Sequence, residues 1–331
     1  MSESSSPVVN YALLDDFSLI KISGADALEF LQSQLTQDVS FATTEQAQLT
    51  AWCNAKGRSL ASFLFWQAAE VSDTYYFLIK KDILEPTLKR LKMFIFRNKV
   101  EIVELNATIL GLWSEAKAVK FAPTEITDKH DFVVFQSDTQ KQWISFPSTG
   151  SEQRYMAISI DQEVNGAAID ELLPQTDAYQ RLASDASYWS AFDIIHAIAW
   201  VELGNREEFI PQGINYDAIG AVNFKKGCFP GQEVIARSHY RGTLKRRSYI
   251  GYTGQKALDV VVGADVFQGD SPTGKVVNIA HLPDDKGSWV LFETRLEAVD
   301  GSTSESLHLG SESGPELRVQ APPYSLEKPE N

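Results

Sequence analysis

Residues 225–247 read KKGCFPGQEVIARSHYRGTLKRR, and this strip differs in charge from the rest of the chain. It contains seven lysines and arginines and one acid, whereas the whole chain of 331 residues has a formal net charge of −14. A concentrated positive segment on an acidic protein focuses its field on one place. The strip therefore predicts a local site for a carboxylate or phosphate.

One of the two cysteines lies inside the strip. Cys228 precedes Pro230, which opens a predicted helix that runs to about Tyr240. A thiol at a helix N-terminus with Lys226 two residues away favours the thiolate form. The alternative is a small buried hydrophobe, which is the interpretation for Cys53 in the apolar run LTAWC. For Cys228 the flanking glycines, proline and charges favour a reactive or ligand-contacting thiol.

Composition limits the class of protein. A hydrophobic content of 44% with 11% aromatic residues indicates a soluble globular chain, and 331 residues predict two or three domains. Two cysteines without CxxC spacing exclude a disulfide framework and indicate a reducing compartment such as the cytoplasm. The acidic excess argues against a general nucleic-acid binder. Neither a secretion signal nor a membrane span is expected.

The first hundred residues predict a mixed α+β order. Residues 11–22 indicate a hairpin or bent strand that places Phe17 just after a turn. A capping-box pattern at residues 23–26 predicts a helix ending near Asp38. Two apolar runs around the turn at residues 54–57 predict a hairpin, followed by a strand at residues 75–79, an amphipathic helix from Leu84 to Ile95 and a strand at residues 100–103.

The remaining chain divides into a mixed middle and an all-β end. Strands are predicted at residues 109–113, 132–135, 143–146 and 156–160, with helices at residues 167–173 and 185–201. The longer helix carries Trp189, for which core packing is the simpler interpretation on pattern alone. After Arg247 only short strands separated by turn residues follow, which predicts a small barrel.

Common catalytic motifs are missing. The sequence has no GxGxxG, Walker or GxSxG motif, and its five histidines do not show a metal-ligand spacing. His239, inside the strip, is the only histidine that is a candidate for a site, although a solvated helix position explains it more simply. Two cysteines are too few for a standard Fe–S cluster site in one chain.

The strip closely resembles the KGC(Y/F)xGQE motif of the YgfZ family. The matching residues are Lys226, Gly227, Cys228, Gly231, Gln232 and Glu233. Four other segments resemble that family in the same order: LDDFSLIKISGADALEFLQSQLTQDVS, CNAKGR, FIPQGINYDAIGAVNF and PPYSLE. The family consists of bacterial folate-binding proteins that are named tRNA-modifying proteins and linked to Fe–S cluster maintenance.

The resemblance implies a fold shared with the glycine-cleavage T-protein. Three parts around a central channel are expected. They are a folate-binding α+β part at residues 8–50 and 107–245, a ferredoxin-like α+β part at residues 51–106, and a C-terminal β-barrel with an acidic tail at residues 246–331.

The resemblance also implies a site for tetrahydrofolate or a derivative. Two aromatic positions that line the folate site in the family resemble Phe17 and Trp189. The family's usual tryptophan at the first position is phenylalanine here, so stacking is retained but an indole N–H donor is lost. In the strip, Arg237, Arg241 and Lys245 extend the anion site, and Arg241 or Lys245 is expected to face the folate glutamate tail or an anionic partner. A solvated cationic surface is the alternative for each single residue.

One departure separates the chain from its enzyme relatives. T-proteins carry a pair of aspartates shortly after the turn that resembles residues 54–57, and one of them is a catalytic acid. Here the matching positions are Ala61 and Ser62, so the carboxylate that organises proton transfer is missing. Glycine-cleavage activity is therefore disfavoured. Asp38 is retained, but its motif occurs in both branches.

Three functions follow from these observations. The leading one is a cytoplasmic tetrahydrofolate-binding accessory protein that supports Fe–S cluster assembly or repair, and hence Fe–S-dependent tRNA modification, with Cys228 as the functional thiol. Its expected partners are Fe–S assembly enzymes or Fe–S-dependent tRNA-modifying enzymes. The alternatives are a folate-dependent one-carbon transferase or demethylase on a small amine, and a direct tRNA-binding module that uses the strip.

Overall fold

The computed structural model describes most of the chain. The described residues are 8–69, 71–115, 131–136, 140–150, 152–160, 166–173, 180–242, 244–302 and 305–327. The helices among them are α1 (Ala27–Gln32), α2 (Leu84–Lys92), α3 (Gly166–Leu172), α4 (Ser187–Ile195) and α5 (Gln232–Tyr240). The strands are β1 (Val8–Leu13), β2 (Phe17–Ser23), β3 (Gln48–Cys53), β4 (Ser59–Gln67), β5 (Thr74–Lys80), β6 (Glu101–Leu105), β7 (Ala107–Ser114), β8 (Val134–Gln136), β9 (Lys141–Phe146), β10 (Gln153–Ile160), β11 (Gln180–Ala183), β12 (Arg246–Thr253), β13 (Asp265–Gln268), β14 (Ser271–His281), β15 (Ser288–Arg295), β16 (Leu307–Leu309) and β17 (Glu316–Gln320).

These strands form three sheets. One has six strands in the order β11-β1-β7-β10-β9-β8, and a second has five in the order β3-β4-β5-β2-β6. The third closes into a barrel in the order β12-β15-β14-β13-β16-β17, with β12 paired to β17. The predicted α+β class with a terminal β-barrel is confirmed.

The first two strands differ from the predicted pairing. The turn at Asp15 and Asp16 lies where it was expected, but β1 and β2 enter different sheets and do not form a hairpin with each other. The five-stranded sheet contains both β2 and β3. The predicted domain boundary between residues 50 and 51 falls within β3, so residues from both sides of this boundary lie in one sheet. The apolar pattern gives strand and turn, but it carries no information about which sheet each strand joins.

Three helices are shorter than predicted, and one of them is α2, which ends at Lys92 and not at Ile95. α1 ends at Gln32, and Asp26 does not cap it, because the Asp26 carboxylate accepts a hydrogen bond from the Lys99 backbone N–H at 2.6 Å. α4 ends at Ile195, because Ala197 adopts a left-handed conformation with φ +51°. The chain then continues through the interior, where Ala197, Ala199 and Trp200 are all buried.

A buried ion pair connects the six-stranded sheet to α4. The Arg154 guanidinium on β10 donates to the Asp193 carboxylate at 2.5 Å, and neither side chain is more than 4% exposed. Asp193 also accepts from the Trp200 indole N–H at 3.0 Å. Breaking such a pair on one side leaves an uncompensated buried charge, which costs about 3–5 kcal/mol. The pair therefore holds the helix in one position against the sheet.

His196 lies beside this pair and is held neutral. Its Nδ1 lies 2.8 Å from the Phe192 carbonyl oxygen. Since a carbonyl oxygen can only accept, Nδ1 carries the proton and donates this hydrogen bond. Burial, assisted by the positive charge of Arg154, lowers the pKa of His196 to about 4. The folded state therefore resists protonation of this ring at pH values where the unfolded chain accepts a proton.

This difference predicts a pH dependence of stability. Because the folded pKa lies below the unfolded value of 6.5, the stabilisation is complete above pH 6.5 and is lost as the pH falls towards 4. We expect the wild type to lose about 2 kcal/mol more than His196→Gln between pH 7 and pH 5. Urea unfolding of both proteins at the two pH values measures this difference. Equal losses would contradict the assignment of a buried neutral histidine.

Candidate thiol site and neighbouring cavity

Cys228 lies on an exposed loop that leads into α5. Its neighbour Phe229 is only 8% exposed and anchors the loop in the core. The thiol itself borders a shallow pocket of about 480 Å³, lined on the opposite side by residues of α1 and of the turn before β5. The two cysteines are therefore distinct, because Cys53 is buried and burial raises its pKa to about 12.

The side chain of Lys226 points into the protein. Its ammonium group donates three hydrogen bonds to backbone carbonyl oxygens, to Leu35 at 2.7 Å, to Gln37 at 2.8 Å and to Gln32 at 2.9 Å. An ammonium has three donors, so all of them are used. Burial lowers the pKa of Lys226 to about 8, and the charge of Asp38 opposes this shift. Lys226 thus holds the Cys228 loop to the segment after α1.

Further backbone bonds run along the same two segments. Asn223 N–H donates to the Thr36 carbonyl at 2.9 Å, and the Thr36 hydroxyl donates to the Ala221 carbonyl at 2.8 Å. The Gln37 side chain donates to the Gly220 carbonyl. Residues 34–38 (QLTQD), which lie far away in the sequence, therefore bind the Cys228 loop through these hydrogen bonds.

Two glycines bring α5 into backbone contact with the turn at residues 54–57. Gly231 has φ +81°, and a Cβ on it would lie 2.5 Å from the Asn54 carbonyl oxygen and 2.6 Å from the Gly57 Cα. Gly57 has φ +72° and packs against Val234. Only glycine satisfies both the left-handed conformation and this approach. The motifs CNAKGR and CFPGQE are thus in direct contact.

The surroundings of the thiol are less cationic than expected from the sequence. The Lys226 ammonium is engaged by carbonyls, and α5 begins at Gln232, four residues after Cys228. Glu29 and Asp73 line the pocket instead. The expectation that Lys226 and a helix N-terminus favour the thiolate of Cys228 stays a prediction, although α5 begins later than predicted. The thiol of Cys228 is accessible, and the loop that carries it is held in place. The Gln232 side-chain nitrogen adds long contacts of 3.4–3.5 Å with the carbonyl oxygens of Lys226 and Gly227.

The strip is not one continuous basic surface. Arg247 is 4% exposed, and its two terminal guanidinium nitrogens donate to the two carboxylate oxygens of Asp217. Arg246 pairs with Glu293 at 2.7 Å. The exposed cations of the strip are Lys225, Arg237, Arg241 and Lys245, and its acid Glu233 is exposed as well. His239 stacks on Phe224, with ring centroids 3.7 Å apart. The predicted anion site is reduced to these exposed cations and stays a prediction.

Both predicted folate-lining aromatics lie in the core. Phe17 is 5% exposed, with the Lys80 ammonium 4.0 Å from its ring centroid and the edge of Trp200 at 4.9 Å. Trp189 is 1% exposed. One face of its ring covers Gly111, where a Cβ would approach within 2.5 Å, and Arg154 lies 4.4 Å from the ring centroid. The Trp189 ring is therefore covered, whereas Phe17 lines a cavity of about 430 Å³ between β2 and β7.

Three nitrogen atoms around Trp189 have no hydrogen-bond partner among the described residues. They are Nε1 of Trp189, Nε of Arg154 and Nε2 of His196, and all are buried. His196 also lines a cavity of about 530 Å³, together with Phe132, Ile198, Ala218 and Tyr324. Buried polar atoms are normally satisfied, so this group indicates a place where water or a ligand adds the missing bonds.

The C-terminal segment completes the wall of this cavity. The Tyr324 hydroxyl donates to the Ala197 carbonyl at 2.9 Å and lies 3.3 Å from the Asn215 side-chain nitrogen. Tyr324 belongs to the segment PPYSLE, which the sequence analysis leaves without a role. Arg154 and His196 were also missed as site residues. The available signal for Arg154 was that it is the single charged residue in strand β10, where it is followed by apolar residues.

The position of the missing aspartate pair is part of the scaffold. Ala61 and Ser62 are fully buried in β4, and the Ser62 hydroxyl accepts a hydrogen bond from the Val201 N–H at 2.8 Å. Asp38 accepts hydrogen bonds from Gln32 at 2.7 Å and from the Ser40 N–H at 3.0 Å. Burial is the largest single influence on Asp38 and raises its pKa, but these bonds and the charge of Lys226 lower it overall.

Among the described residues, no three histidine, cysteine, aspartate or glutamate side chains come together in a group that could hold a metal ion. Within the same part of the chain, each helix is too short or too polar to cross a membrane.

The bonds of Lys226 generate a stability prediction. Lys226→Met removes three donors and leaves three carbonyl oxygens short of a partner, so we expect a loss of about 3 kcal/mol in the free energy of unfolding. Lys225→Met, next in the chain and exposed, serves as the control and is expected to change stability by less than about 0.5 kcal/mol. Urea unfolding at pH 7 measures both. Similar values for the two variants would show that the carbonyl contacts do not stabilise the fold.

Comparisons with known proteins agree with this architecture. The chain is 28% identical over 323 residues to the tRNA-modifying protein YgfZ of Escherichia coli strain SMS-3-5, covering 95% of this chain and 93% of that protein. It is 29% identical over 326 residues to the tRNA-modifying protein YgfZ of Photorhabdus laumondii, covering 95% and 92%. No protein-family profile matches the chain.

A solved structure has the same fold. The glycine cleavage system aminomethyltransferase T from Bartonella henselae superposes with a TM-score of 0.69 at 15% identity, covering 96% of this chain and 85% of that one. At this identity the likeness concerns the fold alone. The resemblance to the YgfZ family indicated by the motifs is thus confirmed over nearly the whole chain, on a fold that the glycine-cleavage T-protein shares.

Proposed function

We propose that the protein is an accessory protein of tRNA modification that acts through the thiol of Cys228, binds a folate, and supports Fe–S clusters in the modifying enzymes. The names of its relatives support the connection with tRNA. The family resemblance supports the connection with folate and Fe–S clusters. The observation that carries the proposal is an exposed cysteine on a loop fixed by the buried Lys226 ammonium.

The geometry favours a single-thiol role. Cys53 is buried in β3, so it is not available to form a disulfide or a shared ligand set with Cys228 on the surface. One accessible thiolate can bind a metal or cluster transiently, or exchange with another thiol, but it cannot hold a standard cluster alone. A transient partner of a cluster or thiol on another protein fits this arrangement.

A test in cells separates Cys228 from the fold. Cells that lack their own copy receive the wild type, Cys228→Ala or Cys53→Ala, and methylthiolated nucleosides in total tRNA are measured by mass spectrometry. We expect Cys228→Ala to give the low level of the deletion strain, because it removes the accessible thiol without disturbing the loop. Cys53→Ala, which removes a buried thiol, is expected to restore the wild-type level. Full restoration by Cys228→Ala would overturn the thiol role.

A folate fits beside Trp189 better than on its ring. Trp189 offers no open ring face for a pteridine, because Gly111 lies against its ring and Arg154 lies 4.4 Å from the ring centroid. The cavity lined by His196 has about 530 Å³, within the usual range for small-molecule sites. The unpartnered nitrogens of Trp189, Arg154 and His196 supply nearby polar groups for a ligand that displaces water. Tetrahydrofolate would supply a one-carbon carrier there, and these residues would bind and orient it.

A titration tests the cavity. We expect Ala218→Trp, which places a large side chain into the cavity, to weaken tetrahydrofolate binding at least tenfold in a calorimetric titration. Ala218→Ser is the matched control, because it changes the same position without filling the space, and it is expected to bind as the wild type does. Equal affinity of all three proteins would place folate elsewhere. No binding to the wild type would remove folate from the proposal.

A further inference from the structure

A second surface combines positive charge with exposed apolar side chains. Residues 89–99, the last turn of α2 and the loop after it, read KRLKMFIFRNK and contain no acid. Three side chains between the cations point to solvent: Met93 is 70% exposed, Phe94 40% and Phe96 90%. The basic residues of this 89–99 surface are Lys89, Arg90, Lys92, Arg97 and Lys99.

The backbone holds Phe96 outwards at a cost. Phe96 has φ +48°, a left-handed conformation that is unusual for a bulky residue and is typical of turns or of strain at functional sites. The loop is closed around it by a hydrogen bond from Asn98 N–H to the Ile95 carbonyl at 2.8 Å. Because the Phe96 ring is 90% exposed, core packing does not offset the free-energy cost of this backbone conformation. The conformation therefore points to a role for the ring at the surface.

The loop is attached firmly to the body. Phe94 meets Trp52 edge to face with centroids 6.3 Å apart, and the Lys99 N–H donates to the Asp26 carboxylate. Trp52 in turn donates from its indole N–H to Gln34 at 3.3 Å. Asp26 immediately precedes α1, and its neighbour Ala25 lines the Cys228 pocket, so the 89–99 segment and this pocket both adjoin the start of α1.

The cations of this surface are largely available. Arg90 lies 3.6 Å from Glu207, and both side chains are about half exposed. Lys89, Lys92, Arg97 and Lys99 have no carboxylate within ion-pair distance among the described residues. In the strip, by contrast, two of the seven cations are paired with acids and one is bonded to carbonyls.

Cations with aromatic rings between them are typical of proteins that bind unpaired nucleotides. Lysine and arginine contact the phosphates, and exposed aromatic rings stack on bases. A protein partner favours a contact centre with few charges, and a membrane-surface helix presents its apolar face to lipid. Here the side of α2 that carries Leu84, Thr87 and Leu91 is buried, so the exposed large apolar side chains are those of the loop after the helix.

We propose that the 89–99 surface binds unpaired nucleotides of a tRNA, with Phe96 stacked on a base and Lys92 and Arg97 on the flanking phosphates. This inference rests on the proposed function, because tRNA is the substrate class to which that function refers. It assigns the RNA contact to the 89–99 surface, and not to the exposed cations Arg237, Arg241 and Lys245 of the strip.

Fluorescence anisotropy with labelled bulk bacterial tRNA and the full chain tests this surface, at salt concentrations from 50 to 200 mM. Phe96→Ser is expected to weaken binding about tenfold through the lost base stack, with an unchanged salt dependence. Lys92→Gln combined with Arg97→Gln is expected to weaken binding and to reduce the slope of log K against log salt by about 1.5, as two phosphate contacts are lost.

Matched controls come from exposed positions on the barrel. Leu258→Ser removes an apolar side chain of similar exposure, and Arg295→Gln with Arg318→Gln removes the same charge. We expect less than a twofold change for both, and no effect of Phe96→Ser on binding to a fully paired RNA duplex.

Several outcomes would overturn the inference. One is equal weakening by the barrel variants, and a second is loss of binding only when Arg241 and Lys245 are neutralised. A third is tRNA binding unaffected by Phe96→Ser while binding to phosphatidylglycerol vesicles is lost. The absence of wild-type tRNA binding at 50 mM salt would also refute this surface. The proposed function is decided separately by the Cys228 variants in cells, so the two failures are distinguishable.

Discussion

The ammonium group of Lys226, bonded to three backbone carbonyl oxygens, fixes the Cys228 loop on the segment that follows α1. A short helix leaves its last carbonyls without partners, and here a side chain from a distant part of the sequence supplies the donors. The Lys226 side chain therefore positions the loop that carries the thiol. The backbone contact between Gly231 and Gly57 adds a second fixed point, so Cys228 is presented by a rigid loop.

Buried and exposed cations have different roles in this protein. Arg154 and Arg247 are buried with carboxylates and position elements, Arg154 joining β10 to α4 and Arg247 joining the first barrel strand to Asp217. The cations at residues 89–99 remain at the surface. A sequence count cannot separate these groups, because burial decides whether a cation is a structural group or is available to a ligand.

Much of the architecture was predictable from the sequence. The hairpin of β3 and β4, the amphipathic α2 and the terminal barrel follow from apolar periodicity and turn residues, and these features are local. The separation of β1 and β2 into different sheets, the early end of α4 and the inward direction of Lys226 were not predictable, because they depend on contacts between distant segments. Cys228 was identified by its neighbours in the sequence, whereas His196 and Tyr324 are brought to the cavity only by the fold.

The position of Tyr324 in the chain has a consequence for biosynthesis. Its hydroxyl closes the cavity wall by bonding to Ala197, which is synthesised 127 residues earlier. Both α+β sheets and the barrel strands emerge from the ribosome before that residue. The cavity wall is therefore completed only by the segment around Tyr324, and removal of residues 321–327 would leave all the strands of both α+β sheets and of the barrel in place but open the cavity on one side.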